Sequence, residues 1–342
     1  IILHMHNDYL GFISREYLEN INSNIDLLVT CSDFLRQRIK NKSEELYQKS
    51  ITVYNGFNEN LFFPKNKDTT EKLSIGYVGR IDFNKGLHLL LDVYEQLLIR
   101  IPDLKLVIIG SSGFGKSGDS YEKMCKEKVN KLQKEKNANI DYIGYVHNEK
   151  LANYYNKFTL FCSFSLQNEA FGMTYIEAMA CKIPVLANNI GGVKEAVNFD
   201  EMLVNNIDNL RQVEEKAYEL LINKELSATM SNLAYDFVQK NFKWSTIADK
   251  KLKILNRLLW HFINIYSLFV ELSLFGYALS AGVSGMLYNI VSNSIIDLTN
   301  IFNDLLLNKE FTNYLEYNKK IASYTPIESI EDNILNIIRE KR

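Results

Sequence analysis

Cysteine is scarce and scattered. The 342-residue chain has four, Cys31, Cys125, Cys162 and Cys181, with neither a CxxC pair nor the spacing of a disulfide framework. That usage reads as reduced thiols in a cytoplasmic protein. Net charge is lacking too: 39 Lys and Arg stand against 41 Asp and Glu, a formal balance of -2. The balance excludes a general bias toward nucleic acid or an anionic membrane, so any bound anion has to be met by local groups. No internal repeat is evident. The opening residues IILHMHNDY do not begin with Met and hold no basic run and no small-residue cleavage site, which is not the pattern of a signal peptide. They read as a strand entered in mid-domain, and the expectation is that the start of the protein is missing.

What is present is an ordinary apolar content of 46%, enough for a sizeable core in about two domains. Residues 1–57 alternate strand-like IILHMH, DLLVTCS and SITVYNG with helices around 14–21 and at FLRQRIK. Residues 58–72 are polar, hold a Pro and read as a linker. From 73 to 240 the alternation resumes. Strands are predicted at LSIGYVGR, LKLVIIG, IDYIGYV, FTLFCSF and IPVLANN, with helices at LHLLLDVYEQLLIRI, SYEKMCKEKVNKLQK, EKLANYYNK and MTYIEAMACK. Buried strands alternating with amphipathic helices predict doubly wound parallel sheets, with ligands at the strands' carboxyl ends. Residues 258–296 are apolar with Glu271 as their only charge. A membrane helix needs roughly 20 such residues, and 272–291 is long enough, but its Ser, Gly, Tyr and Asn content points to a buried helical pair instead.

Four segments could carry chemistry. GSSGFGKSG at 110–118 matches the phosphate-cradling P-loop at Gly110, Gly115, Lys116 and Ser117, which makes a nucleoside-triphosphatase the alternative reading. In a working P-loop the Lys and Ser open a helix. Here Gly118 and Asp119 follow, so the helix is expected from Ser120 and Lys116 in loop; the segment reads as a glycine-rich loop on a cleft rim. YVGRIDFNKG places Arg80 and Lys85 at a strand exit between Gly79 and Gly86, a pairing suited to a diphosphate or to an ordinary turn with solvated charges. In NEAFGMTYIEAMA, Glu169 lies before a helix opened by Phe171 and Gly172, and Glu177 more than a turn inside it. The free amides there suit a phosphate or sugar hydroxyls; the plainer reading is capping by Glu169 and a solvated Glu177. HMHND puts His4 and His6 on one strand face. With Tyr9 and Leu10 where a further ligand would stand, a metal site is less expected than a buried histidine facing the cleft.

Taken in order, VTCSDFLRQRI, ITVYNGFNENLFFP, VGRIDFNKG, the Glu-x7-Glu run, PVLA, GGVKE and FKWSTIADKKLKI resemble the family 4 retaining glycosyltransferases over residues 1–255. The resemblance implies the α/β GT-B architecture of two facing Rossmann-like domains. The first is an incomplete acceptor-side domain at 1–57, followed by a hinge at 58–72 and a nucleotide-sugar domain at 73–240. A crossing helix at 241–257 and a mainly helical extension at 258–342 complete the chain. In that extension LSAGVSGMLYNIV resembles the glycine-rich helices of lanthionine-cyclase-like domains, and the reading taken is a helical extension packed on the transferase or mediating assembly.

The resemblance also implies roles. Arg80 and Lys85 hold the donor diphosphate beside Gly79, and Gly172, Met173 and Thr174 present amides next to Phe171. Glu169 reads sugar hydroxyls, Glu177 the ribose, Val146 lies near the base, and His6 contacts the donor sugar and places the acceptor. His6, Arg80, Lys85 and Glu169 form the catalytic set. No cofactor or metal is expected, since the basic pair does a divalent ion's work. The partners implied are a nucleotide sugar and a carbohydrate, lipid or peptide acceptor, and the expected location is the cytoplasm, with peripheral association at the inner face of the membrane as the alternative. Because much of the acceptor pocket is absent, this fragment is expected to be a weak or inactive hexosyltransferase, and a degenerate module that binds donor without turnover is the third reading.

Overall fold

A computed structural model describes residues 1–8, 14–65, 72–112, 116–251 and 253. The expectations placed on residues 258–342 lie outside these. A compact unit spans Ile1–Lys250, and the boundary with the next falls after Lys250.

Two parallel sheets make up this unit. The first has the order β1-β2-β3, with β1 at Ile2–Met5, β2 at Leu27–Thr30 and β3 at Ser50–Thr52. Helices α1 (Arg15–Asn24), α2 (Asp33–Lys40) and α3 (Glu44–Gln48) connect them. Helices α1, α2 and α3 each start from a serine, Ser14, Ser32 and Ser43, whose hydroxyl accepts an amide of the first turn. This satisfies one of the donors that a helix start leaves open. The short α3 was not expected from the sequence, although Ser43-Glu44-Glu45 is a start signal. Strand β3 is shorter than SITVYNG suggested, because after Val53 the chain leaves the sheet and Tyr54 stacks on Phe171, with ring centroids 5.2 Å apart.

The second sheet has six parallel strands in the order β6-β5-β4-β7-β8-β9. These are β4 (Ser74–Val78), β5 (Lys105–Ile109), β6 (Asn139–Gly144), β7 (Leu160–Ser163), β8 (Val185–Asn188) and β9 (Leu203–Val204). Every residue of β4, β7 and β8 is buried, the consequence of helices covering both faces of a parallel sheet. The covering helices are α4 (Leu87–Arg100), α5 (Lys116–Lys136), α6 (Asn148–Tyr155), α7 (Met173–Ala180), α8 (Val193–Val197), α9 (Leu210–Ile222) and α10 (Lys224–Asn241). Helix α4 buries Leu87, Leu90, Leu91, Tyr94, Leu97 and Leu98, one apolar stripe at the helical period.

Strand order reverses between β4 and β7, which opens a crevice at their carboxyl ends. After α10 the chain returns to the segment that follows β3: Phe57 donates to the Phe242 carbonyl at 2.8 Å, and Trp244 donates to the Phe57 carbonyl at 3.1 Å. A helical segment, 244–250, follows. Among the described residues no helix is long and apolar enough to cross a membrane.

Candidate active site

A cleft of about 280 Å³ lies at the β4/β7 crevice and is lined from both sheets. His6, Asn7 and Asn55 come from the first; Gly79, Arg80, Lys85, Glu169, Phe171, Gly172, Met173 and Thr174 come from the second. The cleft thus collects His6 and every donor-site residue expected from the sequence except Val146 and Glu177.

Each group is held by local structure. Arg80 follows β4, and its carbonyl accepts from the buried Tyr77 hydroxyl at 2.9 Å. The Arg80 side chain is 71% exposed, 3.6 Å from the Asp82 carboxylate, and so can swing to an incoming anion. Lys85 ends a single 3-10 turn, Phe83–Lys85. Its ammonium pairs closely with the Glu169 carboxylate, which also accepts from Ser165 Oγ at 3.1 Å. Glu169 therefore engages Lys85 and Ser165, and no side chain caps α7, whose N-cap is Gly172 at φ 105°. The plainer reading of Glu169 as a cap is corrected, and Met173 and Thr174, which open α7, line the cleft at the positive pole of the helix dipole.

His6 lies just beyond β1. Its Nδ1 lies 3.0 Å from Asn55 Oδ1, an acceptor, and the bond holds the ring in place. The residue is exposed, not buried as expected, because β1 ends at Met5 and His6 stands past the covered part of the sheet. Among the described residues no cluster of three metal-ligating side chains is present.

Glu177 sits in the second turn of α7, and its carboxylate accepts from the Tyr155 hydroxyl at 3.0 Å. Burial pushes its pKa up to about 7, with the Tyr155 bond working in the opposite direction. It is partly buried, not solvated, and lies outside the cleft lining. Val146 is partly buried in the turn between β6 and α6 and packs on the core.

The P-loop-like segment departs from expectation. Helix α5 begins at Lys116, not Ser120. A glycine inside a helix costs only about 1 kcal/mol, less than α5 gains by burying Tyr121, Cys125, Val129 and Leu132. Residues 113–115 lie outside the described set. The flanking backbone is already committed, however. The Ser112 amide donates to Glu122 Oε2 at 2.6 Å, and Gly110 donates to the Gly144 carbonyl at 2.8 Å. Gly110 is a glycine for a steric reason: it has φ 145°, and a Cβ there would lie 1.8 Å from the Gly79 carbonyl oxygen.

Reasoning from sequence missed Asn7, Asn55 and Ser165. A usable signal existed for Asn55, which directly follows a strand-like run in the first domain, where ligand-facing groups collect.

A two-sheet α/β protein with a cationic, amide-rich cleft at its strand ends is the class these features define. The chain belongs to the family described as glycosyl transferases group 1, which matches residues 57–237, a span that includes the P-loop-like segment. Spore coat protein SA of Bacillus subtilis (strain 168) is 24% identical over 272 residues, covering 74% of this chain and 71% of that protein. An uncharacterized glycosyltransferase of Methanocaldococcus jannaschii is 26% identical over 235 residues, 67% of this chain and 59% of that one. Among solved structures, the HepE protein of Anabaena in complex with UDP and glucose superposes with a TM-score of 0.64 at 20% identity, over 75% of this chain and 71% of that one. The fold is GT-B.

Proposed function

We propose that the whole protein transfers a sugar from a nucleotide-diphosphate donor to a carbohydrate, lipid or peptide acceptor, with retention at the anomeric carbon and without a metal ion. One observation carries the reading. Two cations, Arg80 and Lys85, and the uncapped start of α7 converge on a single cleft with Glu169 and His6. As the bond between the anomeric carbon and the phosphate oxygen breaks, negative charge grows on the diphosphate. Arg80, Lys85 and the amides of Met173 and Thr174 stabilise that charge where it develops. The cations are then the reason for needing no divalent ion.

Glu169 releases Lys85 to the diphosphate and turns to the hydroxyls of the sugar, while Glu177 reads the ribose and Val146 borders the base. Retention has the acceptor hydroxyl arrive on the face that the diphosphate leaves, with its proton passing to the departing phosphate oxygen. His6 helps to place that acceptor. HepE, described with UDP and glucose, makes UDP the first probe.

The test is calorimetric titration with UDP, UDP-glucose and GDP-mannose, with and without magnesium. Arg80→Ala and Lys85→Ala are each expected to weaken binding of the preferred nucleotide at least 10-fold, with chelator making no difference. Unchanged affinity in both variants would overturn the assignment, and a strict magnesium requirement would overturn the metal-free reading.

A further inference from the structure

Glu195 joins the two walls of the cleft. It lies on α8, in the nucleotide-sugar domain, yet its carboxylate reaches α2 of the first domain. Oε2 accepts the Asp33 amide at 2.6 Å and Oε1 accepts the Phe34 amide at 2.7 Å, across 162 and 161 positions of sequence. These are the first two amides of α2. The third, Leu35, is served by Ser32 Oγ at 3.2 Å. The open end of α2 is thus completed by a charge-assisted pair from another domain, at the positive pole of the helix dipole.

The other side of α8 is bound to the donor loop. Gly192, its N-cap, donates to the Glu169 carbonyl at 2.7 Å. A Cβ on Gly192 would lie 2.3 Å from the Ala170 carbonyl oxygen and 3.2 Å from Ser32 Cβ. Donor loop, α8 and the start of α2 therefore meet at one point with no room for another atom. The mechanical path is short: α2 follows β2 directly, and β2 pairs with β1, which ends beside His6. Tyr54 and Glu195 line one small cavity, and Tyr54 is next to Asn55, the partner of His6.

We infer that Glu195 is a positioning residue: by clamping the start of α2 onto the donor loop, it sets His6 and Asn55 at a fixed distance from Lys85, Glu169 and Gly172. The inference rests on the donor-cleft reading above for its consequence, and on geometry alone for the clamp. Glu195 does not line the cleft, so it acts through α2 and the donor loop.

The experiment measures the two walls directly. The four native cysteines are buried, so spin labels can be placed at Tyr17→Cys on α1 and Leu233→Cys on α10, which are 60% and 46% exposed. Pulsed electron paramagnetic resonance of the doubly labelled protein is expected to give one narrow distance population. Adding Glu195→Ala is expected to at least double its width. Glu195→Gln, which keeps the volume and one acceptor oxygen, is expected to fall between the two, and it decides the matter if the alanine variant does not melt cooperatively.

UDP affinity, titrated in parallel, is expected to stay within threefold of the parent's, because the donor grip lies on one domain. A parent-like distance distribution in Glu195→Ala, or in Glu195→Gln where alanine fails to fold, would overturn the clamp. A 10-fold loss of UDP affinity with an unchanged distribution would do so as well, by reassigning Glu195 to the donor loop. A parent that binds no UDP counts against the donor reading, while the distance measurement still decides the clamp.

Discussion

Glu177 shows how one residue's surroundings turn a sequence feature into a measurable property. Its carboxyl is lifted to about 7 by burial beside Tyr155, against an ordinary glutamate value near 4.3. Between those values the folded chain holds a proton that the unfolded chain has lost, so stability falls as pH rises through this window and levels off above it. Glu177→Gln removes the titration. It is expected to flatten the slope of unfolding free energy between about pH 4.5 and 7, and to leave the protein more stable than its parent at pH 8. Urea denaturation at a series of pH values checks this, and a slope equal to the parent's would show that Glu177 titrates normally. The sequence told that an acid stands in the second turn of a helix. It did not tell that Tyr155, from α6, closes over it.

At the scale of elements, the turn between β4 and α4 decides where Lys85 points. The 3-10 turn ends at Gly86 in the left-handed region, at φ 63°, and a Cβ there would lie 2.0 Å from the Phe164 carbonyl oxygen just past β7. Leu166 donates back to the Asn84 carbonyl at 2.7 Å, so the two loops that border the crevice are pinned to each other. Gly86→Ala forces both the backbone angle and the contact, and is expected to cost about 1–3 kcal/mol. Its nucleotide affinity is expected to drop as well, because Lys85 moves with the turn. Equilibrium unfolding and calorimetry read the two effects, and a variant unchanged in both would show that the turn tolerates a side chain. Glycine in FNKGL was visible in the sequence as a break between turn and helix, but the carbonyl that forbids a Cβ comes from Phe164, just past β7.

For the whole molecule, the junction between the sheets is aromatic. Tyr54 stacks on Phe171, and Phe242 meets Tyr54, Phe171 and Phe237 edge to face at 5.4, 5.3 and 5.3 Å. Phe242 is 1% exposed, and it is also the residue whose carbonyl receives the Phe57 amide. It therefore ties the returning chain, the donor loop and the exit of the first sheet. Phe242→Ala is expected to lose about 3–5 kcal/mol, read as a lower urea midpoint, whereas a loss below about 1 kcal/mol would show that the returning chain contributes little.

The sequence by itself determined the succession of buried strands and amphipathic helices, hence two parallel sheets, and it determined which residues end β4 and precede α7. These are local properties: periodicity, glycine placement and charge sit within a few residues of one another and need no partner to be read. The tertiary structure decided the rest. It placed Glu169 on Lys85, put Asn55 beside His6, started α5 at Lys116 despite Gly118, and laid Glu195 across the start of α2. Each of these depends on atoms tens to hundreds of residues apart, brought together only when packing had outweighed local preference.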